Sequence, residues 1–254
     1  MKRDLVRALA VLLATLVVVA VNGLANALPL NGVTTGAVSD SFDVLFTPAA
    51  YVFGIWGLIY LALLAYSVYQ LLPAQRTDLV QRWVGGLYLG TCVANVAWLF
   101  LWHYQRFPLT LIAMGALLVL LIAIYIVLGT GRRAAPAAER WLARVPFSIY
   151  LGWITVATVA NVSVVLVYLK WAGWGLAPEV WTAIMMAVAA ALGWAMSLLR
   201  RDLAYNLVLA WALAGISVRH WGGGWLPIVA VALATSVLAV WLWAALRARR
   251  PAAA

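Results

Sequence analysis

Four stretches of this 254-residue sequence place amides and aromatic rings at helical spacing inside long apolar runs. Asn22 and Asn26 lie four apart; Phe53, Trp56, Tyr60 and Ser67 follow at three, four and seven. Tyr88, Asn95, Trp98 and Trp102 are spaced seven, three and four. Tyr150, Trp153, Ala157 and Asn161 are spaced three, four and four, with Tyr168 seven further on. Such spacings put side chains on one face of a helix. An amide in hydrocarbon is costly unless paired, so these faces turn toward a bundle interior. Aromatic walls with a few polar groups suit a small-molecule pocket. The same pattern also serves plain interhelical hydrogen bonding with aromatic packing, and spacing alone leaves both open.

Groups for covalent, redox or acid–base chemistry are sparse. His103 and His220 both fall at the ends of apolar stretches. Two axial haem ligands would have to face each other across a bundle, and interfacial histidines are the simpler reading. The lone Cys92 allows no disulfide within a monomer and no thiolate cluster. H-E-x-x-H, G-x-S-x-G and P-loop patterns do not occur. Asp202 and Glu179 sit at the ends of apolar stretches, which weighs against a proton-coupled carrier. No general acid or base stands out, so no catalytic residue, metal site or enzymatic activity is expected.

The elements that carry the stripes follow from composition. The chain is 67% hydrophobic and 9% charged, whereas a soluble domain carries about 25% charged residues. Eight stretches approach the roughly 20 apolar residues of a membrane span: about 5–28, 52–72, 84–103, 109–128, 147–169, 180–199, 203–218 and 225–246. The seventh is the shortest. The formal charge of +10 is topological. If eight spans alternate, Lys2, Arg3, Arg7, Arg76, Arg82, Arg132, Arg133, Arg140, Arg144, Arg200, Arg201, Arg247, Arg249 and Arg250 share one side. Only Arg106, Lys170 and Arg219 fall on the other. The positive-inside rule then puts both termini in the cytoplasm. A multi-pass protein of a bacterial-type inner (plasma) membrane is expected, with the lipid bilayer as its solvent and no nucleic-acid partner. Ala25-Asn26-Ala27 resembles a signal-peptidase site, but the preceding apolar run is longer than a signal core and reads as a retained span.

Asn95 lies about 11 residues, ~16 Å, into the third span, and Asn161 about 14 residues, ~21 Å, into the fifth. Asn22 is late in an outward-going span and Trp56 early in an inward-going one. All four therefore belong to the middle and outer part of the bundle. The longest outer loop, 29–50, lies above them as a candidate cover. Of the 15 tryptophans, Trp83, Trp141, Trp171, Trp174, Trp181, Trp221, Trp225, Trp241 and Trp243 sit at span ends as an interfacial belt. Trp56, Trp98, Trp153 and Trp211 lie deeper, where an indole N–H needs a partner.

Three of these segments carry a family likeness. The run from Tyr150 to Asn161, Y-L-G-W-I-T-V-A-T-V-A-N, resembles the fifth-helix signature of the TspO/MBR family. That family comprises the tryptophan-rich sensory proteins and the mitochondrial translocator. Asn95-Val96-Ala97-Trp98 is similar to its N-x-x-W on helix three. Pro48 to Tyr60 resembles its P-P-x-W-V-F-G-P-V-W-x-x-L-Y entry to helix two. Departures are Ile55 for a Pro, Tyr51 for a Trp, a single Pro48 for a Pro pair, and Ile149 for a Pro. The likeness runs over about residues 1–170.

The resemblance implies an all-α integral membrane protein, with a five-helix TspO-like bundle (1–170) and about three extra C-terminal transmembrane helices (171–254). It implies a hydrophobic planar ligand, a tetrapyrrole such as haem or protoporphyrin or else a sterol-like molecule, held for sensing or transport. The implied pocket residues are Trp56, Tyr60, Asn95, Trp98, Tyr150, Trp153 and Asn161. Family members often form homodimers. Leu166-Val167-Tyr168-Leu169-Lys170 also fits a proposed sterol-contact pattern, for which an interfacial Tyr–Lys anchor is the simpler reading. The alternative function is a permease subunit or scaffold whose C-terminal helices dock a partner.

Overall fold

A computed structural model describes residues 2–28 and 30–248. Arg249 and Arg250, counted above among the basic residues, and Pro29 of the outer loop lie outside the described residues. The chain is all-α, with no strand among the described residues. Eight long helices follow one another: α1 (Lys2–Ala27), α2 (Ile55–Leu71), α3 (Leu79–His103), α4 (Phe107–Leu128), α5 (Val145–Tyr168), α6 (Pro178–Arg200), α7 (Leu203–Arg219) and α8 (Leu226–Ala248). Counting the 3-10 turn Ala50–Gly54 with α2, all but α7 are long and apolar enough to cross a membrane.

The helix ends have local causes. Asp78 caps α3 by accepting from the Gln81 N–H at 2.9 Å, so α3 starts five residues before its apolar run. Asp202 caps α7 through the Tyr205 N–H at 3.2 Å. Pro108, Pro146 and Pro178 occupy first turns, where a missing N–H costs nothing. Gly129, at φ 62°, ends α4 in the left-handed conformation. In the 129–144 connector, Ala137–Glu139 and a π-helical turn at Arg140–Arg144 run straight into α5. Arg144 is buried there, paired with Glu139 at 2.7 Å.

Helices α1 to α5 form a closed ring: α1 packs on α2 and α3, α3 on α4, α4 on α5, and α5 on α2. The first helix is part of this ring. Its Thr15 is within hydrogen-bond distance of Ser67 at 2.6 Å and Tyr88 at 2.9 Å, joining three helices by hydroxyls. Helix α7 lies against α5, α6 and α8, while α6 barely touches α5. Ten of the seventeen α7 residues are buried. At 1.5 Å per residue α7 is about 26 Å long, just short of the ~30 Å hydrocarbon core. Its neighbours, rather than lipid, cover most of it. The α5–α7 crossing is close because Gly152 has no side chain; a Cβ there would stand 3.1 Å from the Tyr205 carbonyl oxygen.

Basic side chains collect at one end. Arg82 pairs with Asp4 at 2.8 Å, Arg7 donates to the Arg76 carbonyl at 2.8 Å, and Arg200 donates to the Thr130 carbonyl at 3.3 Å. The opposite end carries the 30–54 segment. That segment is not plain loop. It holds a 3-10 turn at Leu30–Gly32, a helix at Thr35–Asp40 and a second 3-10 turn at Ala50–Gly54. Thr34 caps the Thr35–Asp40 helix, its Oγ1 accepting from the Ala37 N–H at 3.1 Å.

Candidate ligand-binding site

A cavity of about 550 Å³ lies among the first three helices, at the end carrying the 30–54 segment. Phe53 from the Ala50–Gly54 turn, Trp56 and Tyr60 from the start of α2 and Trp98 from α3 form its aromatic walls. Asn22, Gly23 and Asn26 from α1 form another side. The Thr35–Asp40 helix and the residue before it roof the cavity with Thr34, Thr35, Gly36, Ser39 and Asp40. A volume of this size falls within the ~300–1,000 Å³ of small-molecule sites.

The stripes meet, but in two layers. Trp56, Tyr60 and Trp98 line the cavity, while Asn95, Tyr150, Trp153 and Asn161 are buried behind it. Trp56 stacks on Tyr60, with centroids 5.4 Å apart and an interplanar angle of 24°. Tyr150 and Trp153 present ring edges to Trp56 at 6.0 and 6.2 Å, and Phe53 meets Trp153 at 5.7 Å. Edge-to-face pairs of this kind fix ring orientation.

The amides are used between helices. Asn22 donates to Asn95 Oδ1 at 2.9 Å, and Asn95 donates to the Tyr150 hydroxyl at 3.2 Å, linking α1, α3 and α5. Trp98 Nε1 donates to Asn161 Oδ1 at 2.9 Å, and Asn161 Nδ2 donates to Thr110 Oγ1 at 2.7 Å, linking α3, α5 and α4. Trp211 finds its partner in the Val52 carbonyl at 3.3 Å. Trp153 Nε1 is buried with no hydrogen-bond partner among the described residues. Asn26 bonds back to the Asn22 carbonyl at 2.9 Å and lines the cavity.

Both histidines hold the cover. His103 is fully buried, with Nε2 2.9 Å from Thr35 Oγ1 and Nδ1 3.2 Å from the Leu30 carbonyl oxygen. His220 Nε2 donates to the Leu45 carbonyl at 2.8 Å. Arg219 pairs with Asp40 at 3.1 Å, and the Ala49 N–H donates to the Gly215 carbonyl at 3.1 Å. The cover is thus fastened on one side to α3 and on the other to α7. Spacing within the stripes carries no trace of the α7 contacts, which join residues about 170 apart. Tyr51, which stands where the family motif has Trp, meets Trp211 of α7 edge-on at 5.2 Å.

The sterol-contact pattern at the end of α5 divides. Tyr168 packs edge-on against Phe107 at 5.2 Å, whereas Leu166 and Val167 border a different cavity. Among the described residues, no group of three or more His, Cys, Asp or Glu side chains could hold a metal ion.

A family model described as TSPO-like protein matches residues 8–245. The chain belongs to this TSPO-like family. The match does not stop near residue 170, where the motif likeness ends, but continues through α6, α7 and most of α8. No curated protein and no solved structure matches the chain. Family membership and the apolar helices make it a multi-pass membrane protein of a binding and sensory kind, in contact with the lipid bilayer.

Proposed function

We propose that this TSPO-like protein is a membrane receptor for a hydrophobic, planar ligand of the tetrapyrrole class, acting in sensing or transport, and not an enzyme. The observation that carries this reading is the covered cavity walled by Trp56, Tyr60 and Trp98. Stacked and edge-on rings make a flat, apolar surface whose shape is held by the amides behind it. No lysine or arginine lines the cavity, and its one acid, Asp40, is paired with Arg219. Recognition therefore rests on the macrocycle face, with carboxylate substituents directed to the mouth. The basic end faces the cytoplasm of a bacterial-type plasma membrane in this reading, which puts the cavity in the outer half.

The test is titration of purified protein in detergent with protoporphyrin IX, following tryptophan quenching. Saturable micromolar binding is expected. It should weaken in Trp56→Leu, which removes a wall, and in Asn161→Leu, which frees the Trp98 ring from its hydrogen bond. No saturable quenching, or binding indifferent to both changes, would overturn the reading.

A further inference from the structure

A second, larger cavity of about 680 Å³ lies outside the ring, in the cleft where α6 diverges from α5. One wall is the outer part of α5, including Val162 and Val167; the other is the start of α6, including Trp181 and Met185. The connector 171–176 closes one end, and Asp43 and its neighbours from the 30–54 segment border it. The two cavities share no lining residue.

The cleft is built rather than incidental. Trp171, Trp174 and Trp181 form a three-ring cluster with centroids 5.1 to 5.6 Å apart. The Gly173 carbonyl accepts from Trp181 Nε1 at 2.7 Å and fixes that ring. Lys170, just before the connector, and Trp174 within it stand at φ 55° and 52°, a conformation that costs a non-glycine residue about 1–2 kcal/mol.

Chemistry selects the occupant. Val162 and Val167 are 37% and 44% exposed on a membrane-spanning helix, so the cleft opens toward lipid. Its lining is apolar except for Ser163 and Thr182, whose hydroxyls are bonded to their own helices, and Asp43. Asp43 is exposed and has no hydrogen-bond or ion-pair partner among the described residues. No basic side chain lines the cleft. Trp171 and Trp174 keep their indole N–H groups free of bonds to other described residues, available to ester or phosphate oxygens at the interface. We propose that this cleft binds a membrane lipid with an ammonium headgroup, one acyl chain lying along Val162, Val167 and Met185 and the ammonium meeting Asp43. This site is independent of the ligand proposed for the covered cavity.

The test is native mass spectrometry of the full chain in detergent, loaded with phosphatidylethanolamine or with phosphatidylglycerol of matched acyl chains. The wild type should retain the ethanolamine lipid about fivefold better, as one partly solvated ion pair provides. Asp43→Asn, an isosteric change at an exposed and unpaired residue, should abolish that preference. Glu179→Gln, at an exposed acid of the same end that does not line the cleft, should preserve it. Val162→Trp should fill the cleft and reduce retention of both lipids. Equal retention by the wild type, a preference that survives Asp43→Asn or disappears in Glu179→Gln, or retention untouched by Val162→Trp would each overturn the assignment.

Discussion

Trp153 is almost fully buried, with its ring edge-on to both Phe53 and Trp56 and its indole N–H without an acceptor among the described residues. Each aromatic pair contributes about 0.5–1.5 kcal/mol beyond area burial, while an unsatisfied buried donor costs about 1–3 kcal/mol. The ring is therefore the useful part of this residue and the N–H a liability. Trp153→Phe should leave the thermal unfolding midpoint in detergent unchanged or raised, and porphyrin affinity within about twofold of wild type. Trp153→Leu should lower both, because Trp56 loses the edge that orients it. A drop in stability for the Phe variant as large as for Leu would show that the N–H has a partner, such as a water. The amides behave differently. Asn95 and Asn161 are each bonded on both sides to neighbouring helices, so they shape the cavity without touching it.

Among the helices, α7 is the one whose role its sequence conceals. It joins the rest of the molecule at both ends. At the basic end Asp202, buried, accepts from Tyr125 Oη at 2.9 Å in α4 and Ser148 Oγ at 2.6 Å in α5, besides capping its own helix. Asp202→Ala should cost about 1–3 kcal/mol through the lost cap and two hydroxyls left without their acceptor. It would be read as a lowered unfolding midpoint, and an unchanged midpoint would count against the assignment. At the other end Gly215 meets the entry turn of α2 so closely that an added Cβ would overlap Val52 and stand 3.2 Å from Pro48 Cβ. Gly215→Val should push away the Ala50–Gly54 turn, which carries Phe53 into the cavity wall. Ligand affinity should then fall several-fold while helical content by circular dichroism stays constant.

The whole molecule is a five-helix ring whose cover is pinned from outside by α7, itself packed against α6 and α8. Truncation after residue 170 would strip Gly152 and Tyr51 of their packing partners on α7 and release the Arg219–Asp40 and His220–Leu45 bonds. The truncated chain should insert but lose porphyrin binding, measured by the same quenching titration; wild-type binding by the ring alone would show that α7 is dispensable for the site. The absence of a cationic side chain from the cavity makes a further prediction. Protoporphyrin dimethyl ester should bind at least as tightly as the free diacid, and a strong preference for the diacid would place a basic group in the site.

Composition and spacing by themselves determined much of this. Continuous apolar stretches of about 20 residues fit membrane helices and not the alternating strands of a barrel, so the helix positions, and the stripes of Trp56, Trp98, Trp153 and Asn161 along them, were legible as periodicity. The short helix Thr35–Asp40 was signalled only by the Thr34 cap, which is easily lost in a polar loop. Tertiary structure alone decided which stripe residues reach the cavity and which stand behind it, since one helix face serves both layers. It alone brought His220, Arg219 and Gly215 to the cover and opened the cleft between α5 and α6. Those contacts join segments up to 179 residues apart, and helical period, being local, carries no information at that separation.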